Sequence, residues 1–180
     1  VDKVHSSPAR FDMKKLEAIN GDKIRALTLD EFLKWSLPFL TGAGVITGTD
    51  SEIALVKQAL PLIQERIVKL DEVPAMLRFL FVKNFAVEEA SLSKVTDSAS
   101  KDVLKRTLAE LTPLATWNHD SIEAALRASL IEEMGLKPRI AFGAVRIATT
   151  GSTISPPLFE SMELLGKESS LARIAAAIDL

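Results

Sequence analysis

The sequence predicts an all-α protein made of two consecutive helical bundles. Apolar residues recur three and four apart in nearly every segment, which is the period of a helix with one buried face. No stretch alternates apolar and polar residues convincingly at period two. No Asn-Gly or Asp-Gly turn joins β-rich runs, since Asn20-Gly21-Asp22 lies between helical patterns.

Taken in order, Thr28-Leu29-Asp30-Glu31 has the form of a capping box and opens a helix through Trp35. Thr49-Asp50-Ser51-Glu52 is a second such box, placed ahead of Ile53, Val56, Leu60, Ile63 and Ile67. Pro61 interrupts that line, so a kink or two successive helices are expected. Asp71 to Phe81 reads as a short apolar helix. Glu88 to Lys101, EEASLSKVTDSASK, is small, polar and rich in Ser; the weakest packing and the boundary between bundles are expected there, giving two helical bundles of similar size. Leu104, Leu108 and Leu111 mark the next helix. Ile122, Leu126 and Leu130 mark another, started by Asn118 or Asp120 as N-cap and closed by Gly135. Pro138 to Thr149 gives an apolar helix. Pro156 to Leu165 gives the next, with Ser155 at the N-cap and Pro156 at the first helical position. Leu171, Ile174, Ala175 and Ile178 define the last. No internal repeat is visible.

Composition narrows the function. With 47% hydrophobic and 26% charged residues, the chain belongs with folded globular proteins. A net charge of -2 argues against a protein that grips nucleic acid over its whole surface, but a local basic site remains compatible with it. There is no Cys, so disulfides and thiolate metal sites are excluded and a reducing, cytoplasmic setting fits. His5 and His119 are far apart in sequence, which disfavours a zinc site, and no metal site is expected. The N-terminal residues have no signal-peptide core. The longest apolar run, Trp35 to Ile46, is broken by Pro38, Gly42 and Gly44 and is too short to span a bilayer. The expectation is a soluble chain with no membrane partner.

No catalytic residues are expected. A thiol nucleophile is absent, and His119 reads as part of a helix start. Gly42, Gly44 and Gly48 lack the spacing of a dinucleotide fingerprint and follow no strand. Neighbouring carboxylates such as Glu88-Glu89 and Glu132-Glu133 suit a solvated helix face.

The informative stretch is Arg146 to Gly166, RIATTGSTISPPLFESMELLG. It reads as a helix end, a tight Gly turn and a new helix whose first N–H groups could meet an anion or a base edge. It also falls in an acid-free window, Met134 to Phe159, that carries Lys137, Arg139 and Arg146.

VRIATTGSTISPPLFESMELLGKE resembles the signature near the C-terminus of bacterial glutamyl-tRNA synthetases, in which a Val/Leu-Arg-x-Ala-x-Thr-Gly turn leads into Ser-Pro-Pro-Leu-Phe-Glu. Ala9 to Leu27 resembles the segment after the catalytic region in that family, and the run from Glu65-Arg66 to Phe81 resembles its first anticodon-binding domain. The resemblance spans essentially the whole chain. It implies an α-helix cage: a linker remnant over 1–27 and two helical anticodon-binding domains over 28–90 and 91–180. The HIGH-type and KMSKS-type motifs of that family are absent here. The resemblance therefore implies the anticodon-binding region alone, without catalysis of its own. ATP and Mg²⁺ would serve the catalytic domain of the parent enzyme, expected to be a cytoplasmic monomer that attaches glutamate to tRNA.

Carried over position by position, the resemblance gives Arg66 the third anticodon base and Arg146 the first two. Ser155, Pro156 and Leu158 form the turn that holds those two bases. Ser155 stands where a relative has Thr, and Thr149 replaces the usual Leu of Ala-Leu-Thr-Gly. The implied partner is tRNA(Glu), with tRNA(Gln) a second candidate. Read without the resemblance, each residue has a plainer role. Arg66 could lay its stem over apolar surface, following Leu55, Ala59 and Leu62 along one helical line. Arg146 could pair with Glu160 or Glu163, Ser155-Pro156 could be only a cap, and Leu158, Phe159, Trp35 and Trp117 could be core or boundary residues. The alternative function from composition is an α-helical protein-interaction module.

Overall fold

A computed structural model describes residues 12–82 and 85–180. Among them there are ten α-helices and no strand: α1 (Met13–Arg25), α2 (Leu29–Gly42), α3 (Asp50–Ala59), α4 (Val73–Leu77), α5 (Glu89–Thr96), α6 (Ser98–Leu111), α7 (His119–Leu126), α8 (Pro138–Thr150), α9 (Leu158–Leu165) and α10 (Lys167–Ile178). The all-α expectation holds.

Both expected capping boxes form. The Thr28 hydroxyl accepts from the Glu31 N–H, while the Glu31 carboxylate accepts from the Thr28 N–H at 2.9 Å. Thr49 and Glu52 do the same at the start of α3, and the Glu52 carboxylate also takes the N–H groups of Thr47 and Gly48. These bonds to the charged form hold the Glu52 carboxyl down at about 2, and the bond from Thr28 lowers that of Glu31. Satisfying the orphan donors of the first turn explains why each helix begins where it does. The first of them runs past Trp35 to Gly42, with Pro38 inside it.

Two cores form. The first gathers Ile24, Phe32, Leu40, Val56, Leu60, Ile63, Ile67 and Leu77; the second gathers Val95, Leu104, Leu111, Ile122, Leu126, Leu130, Val145, Leu158, Met162 and Ile174. Ile24 ties α1 into the first core, although the sequence reading set residues 1–27 apart; residues 1–11 lie outside the described part. The Ser-rich segment from Glu88 to Lys101 is mostly exposed, with Ser91 and Val95 as its buried stripe; it forms α5 and the first turn of α6, which Asp97 caps through the Ser100 N–H. Partly buried Phe81 packs on the first core and Val87 on the second.

The line from Ile53 to Ile67 breaks at Pro61, as expected, into a helix and a separate 3₁₀ segment. Pro61 cannot donate to the ladder, so α3 gives way to a 3₁₀ turn at Leu60–Leu62 and then to non-helical turns that still bury Ile63 and Ile67. Asp71 to Phe81 is likewise split into 3₁₀, α and 3₁₀ pieces. After α7, residues Arg127–Glu133 continue as a π-helical stretch before Gly135, at φ 66°, ends it. Trp35 is no core residue, with 53% of its surface exposed; Trp117 is partly buried, and its indole donates to the Met162 carbonyl.

The bundles meet along α3 and α9, with Leu164 of α9 packed on the first core. Arg173 of α10 adds a polar clamp. It donates to the Thr149 carbonyl at 2.8 Å and to the Phe79 carbonyl at 2.9 Å, and its guanidinium lies 4.0 Å from the Phe85 ring centroid. Burial pushes this guanidinium down to about 10.

Candidate nucleic-acid interface

Arg66 stands on the turn that follows the 3₁₀ segment, not on a helix as its apolar line suggested. Its backbone N–H donates to the Ile63 carbonyl at 2.8 Å, and the buried Ile63 and Ile67 anchor the turn on either side. Gln64 fastens the same turn to the end of α1, donating to the carbonyls of Ile24 and Leu27 at 2.9 Å each. The Arg66 side chain is exposed, and among the described residues it makes no ion pair.

Arg146 is built differently. It lies in α8, a helix ended by Gly151 at φ 86°, a left-handed conformation that favours Gly. A Cβ there would also sit 3.1 Å from the Ala86 carbonyl oxygen. The chain then turns back through residues 152–157. Arg146 Nη1 donates to the Ser155 hydroxyl at 2.6 Å and to the Pro156 carbonyl at 2.8 Å. The Ser155 hydroxyl in turn donates to that carbonyl at 3.0 Å.

This geometry corrects the expected cap. The helix begins at Leu158 rather than Pro156, its N-cap position is Pro157, and no side chain caps it. Ser155 is buried, and its hydroxyl serves Arg146 instead of a first-turn N–H. A guanidinium held half out of water gains more from a buried hydroxyl and carbonyl than the turn would gain from a solvated cap. The pairing of Arg146 with Glu160 or Glu163 is not made. Glu163 accepts instead from His119 Nδ1 at 2.7 Å and from the His119 N–H at 2.9 Å. Thr149, in the place of Leu, is buried with its hydroxyl donating to the Val145 carbonyl at 2.8 Å.

The tertiary structure brings the two arginines together. Arg66, Met76, Arg146, Thr153, Ile154 and Ser155 line one cavity of about 380 Å³ between the bundles. The lining holds two cations and no acid. Burial, and after it the charge of Arg66, lowers the Arg146 guanidinium below its ordinary range, while Glu160 pulls the other way. An Arg remains charged through such a shift, having no accessible neutral form near pH 7. With Nη1 committed, the remaining guanidinium N–H groups of Arg146 have no partner among the described residues. The cavity therefore offers planar, charged donors and a small apolar wall, which suits the edge of an unstacked base.

Pro156 and Leu158 do not line this cavity. Pro156 is buried and contributes its carbonyl, and Leu158, 3% exposed, sits in the second core, so both shape the turn from behind. Sequence reasoning missed Met76, Thr153 and Ile154. The one available signal was Ile154, an apolar residue in a polar turn, which is 73% exposed beside the arginines.

A family model described as the anticodon binding domain matches residues 23–178. Glutamate–tRNA ligases of Saccharopolyspora erythraea and of a Nocardioides species are 45% and 48% identical to this chain over 99% and 97% of its length. The chain spans 36% of the length of each of these curated relatives. Among solved structures, a glutamate tRNA ligase from Elizabethkingia meningosepticum in complex with its amino acid matches 98% of this chain and 34% of its own, with a TM-score of 0.75 at 20% identity. A glutamate–tRNA synthetase from Elizabethkingia anophelis matches 99% of this chain with a TM-score of 0.73 at 21% identity, and both likenesses are of fold. The family match runs from within α1 to the last residue of α10 and so takes in both bundles and the cavity between them: the chain belongs to the anticodon-binding domain family.

Proposed function

We propose that this chain recognises the anticodon of tRNA(Glu) as the anticodon-binding part of a glutamate–tRNA ligase. The observation that carries the reading is the shared cavity, in which Arg66 of one bundle faces Arg146 and Ser155 of the other. In this proposal Arg66 donates to the third anticodon base. Arg146, braced by Ser155 and the Pro156 carbonyl, donates to the first two, and Leu158 supports the turn through the core. Such bases expose their Watson–Crick edges once unstacked, and an Arg fork can donate twice to one edge.

Charging itself would belong to the rest of such an enzyme, with its ATP, Mg²⁺ and glutamate. Among the described residues no group of three or more His, Cys, Asp or Glu could hold a metal ion, and no helix is long and apolar enough to cross a membrane. A cytoplasmic, monomeric parent enzyme fits this role. The helical protein-interaction module raised from composition finds no support in the family match.

The test is fluorescence anisotropy of the 180-residue chain with a tRNA(Glu) anticodon stem-loop. Binding should be weak and salt-sensitive, and both Arg66→Ala and Arg146→Ala should reduce it; unchanged binding in both variants would make the assigned roles wrong. Changing the third anticodon base should weaken the wild-type chain and leave Arg66→Ala indifferent. A charging assay of the full-length enzyme on tRNA(Glu) and tRNA(Gln) decides whether the second tRNA is also a substrate.

A further inference from the structure

Beyond the two arginines, α8 lines a second and larger cavity, of about 940 Å³. It shares Arg146 and Thr153 with the first, so the two cavities adjoin at these residues. Its walls come from α5, α6 and the outer face of α8, where Arg139, Gly143 and Arg146 follow one another at helical spacing.

The chemistry of this extension is lopsided. Lys94 and Arg139 are exposed, and among the described residues neither makes an ion pair. The one carboxylate in the lining, Asp97, stays charged but is turned to the N-terminus of α6. It accepts from the Ser100 N–H at 2.9 Å and from the Ser100 hydroxyl at 2.7 Å, and these bonds lower its pKa. Gly143 leaves the floor between the cations open, since a Cβ built there would meet nothing within 4 Å. A glycine inside a helix sacrifices stability, and here no close packing contact requires it. Exposed cations without ion pairs, lining an open groove beside the arginines proposed to read bases, are the form a phosphate track takes.

We propose that the sugar-phosphate backbone of the RNA strand flanking the anticodon runs along this groove, with Lys94 and Arg139 neutralising its phosphates over Gly143. The inference rests on the proposed function and extends it: the arginines of the first cavity select bases, while Lys94 and Arg139 supply affinity without selecting sequence.

The experiment measures binding of an anticodon stem-loop RNA to the 180-residue chain over a range of salt. Lys94→Ala and Arg139→Ala should each weaken binding about three- to tenfold, equally for matched and altered anticodons, and each should reduce the log–log salt slope by about 0.7. Gly143→Glu puts a carboxylate in the groove while improving helix propensity. It should hold or raise the thermal midpoint and lower affinity about tenfold or more, whereas Gly143→Ala should raise the midpoint and keep the affinity. If Lys94→Ala, Arg139→Ala and Gly143→Glu all bind as wild type while Arg66→Ala and Arg146→Ala bind weakly, the phosphate track is wrong and the base-reading site stands. If all five bind as wild type, both readings fall.

Discussion

The two turns that carry Arg66 and Arg146 reach the same cavity by opposite physical routes. Arg66 sits on a turn held by its neighbours, the buried Ile63 and Ile67 and the Gln64 amide, while its own guanidinium is left in water. Arg146 is itself part of the scaffold, because its Nη1 organises the Ser155–Pro156 turn. The first arrangement keeps a flexible donor that can settle on a base after contact, at an entropic cost on binding. The second meets that ordering cost during folding and presents the remaining donors in place. In the proposed role, the cavity pairs an adaptable donor with a preorganised one.

Removing the clamp between the bundles tests this pairing most severely. Arg173→Met gives up two charge-assisted bonds to backbone carbonyls, Thr149 behind Arg146 and Phe79 on the other bundle. We expect a loss of about 2 kcal/mol in urea unfolding, reduced from the buried limit because the group is half-exposed. RNA binding should weaken as well, since the two arginines then lose their common frame. Equal affinity in this variant would mean that the cavity does not depend on how the bundles are joined.

Arg146→Ala should lower both stability and binding. The turn loses a charged donor, worth about 1–2 kcal/mol, and the RNA loses contacts worth roughly 1–3 kcal/mol. Arg146→Lys should recover little of either, because a point charge cannot reproduce the planar fork. Arg66→Ala should separate the two readouts: unfolding within about 0.5 kcal/mol of wild type, and a binding loss confined to the matching third base. An Arg66 variant that melts early would erase the distinction between the two turns.

The smallest expected effects are on pH dependence. Glu163 bonding raises the His119 pKa, and the same bond lowers that of Glu163. The raised His pKa gives stability that is full below the unfolded value of about 6.5 and lost as pH rises through the folded value. The lowered Glu163 value gives stability present above the unfolded value, about 4.3, and lost as pH falls. The α7–α9 contact should therefore be firmest between those limits, and His119→Gln should flatten the thermal midpoint above pH 6.5. In the first bundle the Glu52 cap should weaken only as pH drops from about 4.3 toward the folded value of about 2.

Most of the helices were legible because their starts are local. Thr28 with Glu31, Thr49 with Glu52, and Asn118 with Ser121 each satisfy orphan N–H groups within one turn, and such bonds need no other part of the fold. The failures share the opposite cause. Ser155-Pro156 has every local mark of a helix start, yet an arginine nine positions earlier takes the hydroxyl. In the Ser-rich segment from Glu88, the composition does not reveal that Ser91 and Val95 are buried against α6, α8 and α10. Thr153 and Ile154 escaped notice because nothing in a six-residue turn tells which side chain faces a cavity.

The sequence by itself determined an all-α chain, its capped helix starts, the arginines at 66 and 146, and a resemblance specific enough to suggest what they read. These follow from short-range patterns: periodicity, capping chemistry and a compact motif. Only the tertiary structure decided that the two arginines share one cavity, that Ser155 serves Arg146 rather than its own helix, and that Lys94 and Arg139 line one groove. The physical reason is distance along the chain. Residues eighty positions apart meet through the packing of two separate cores and the Arg173 clamp, and no local preference encodes that meeting.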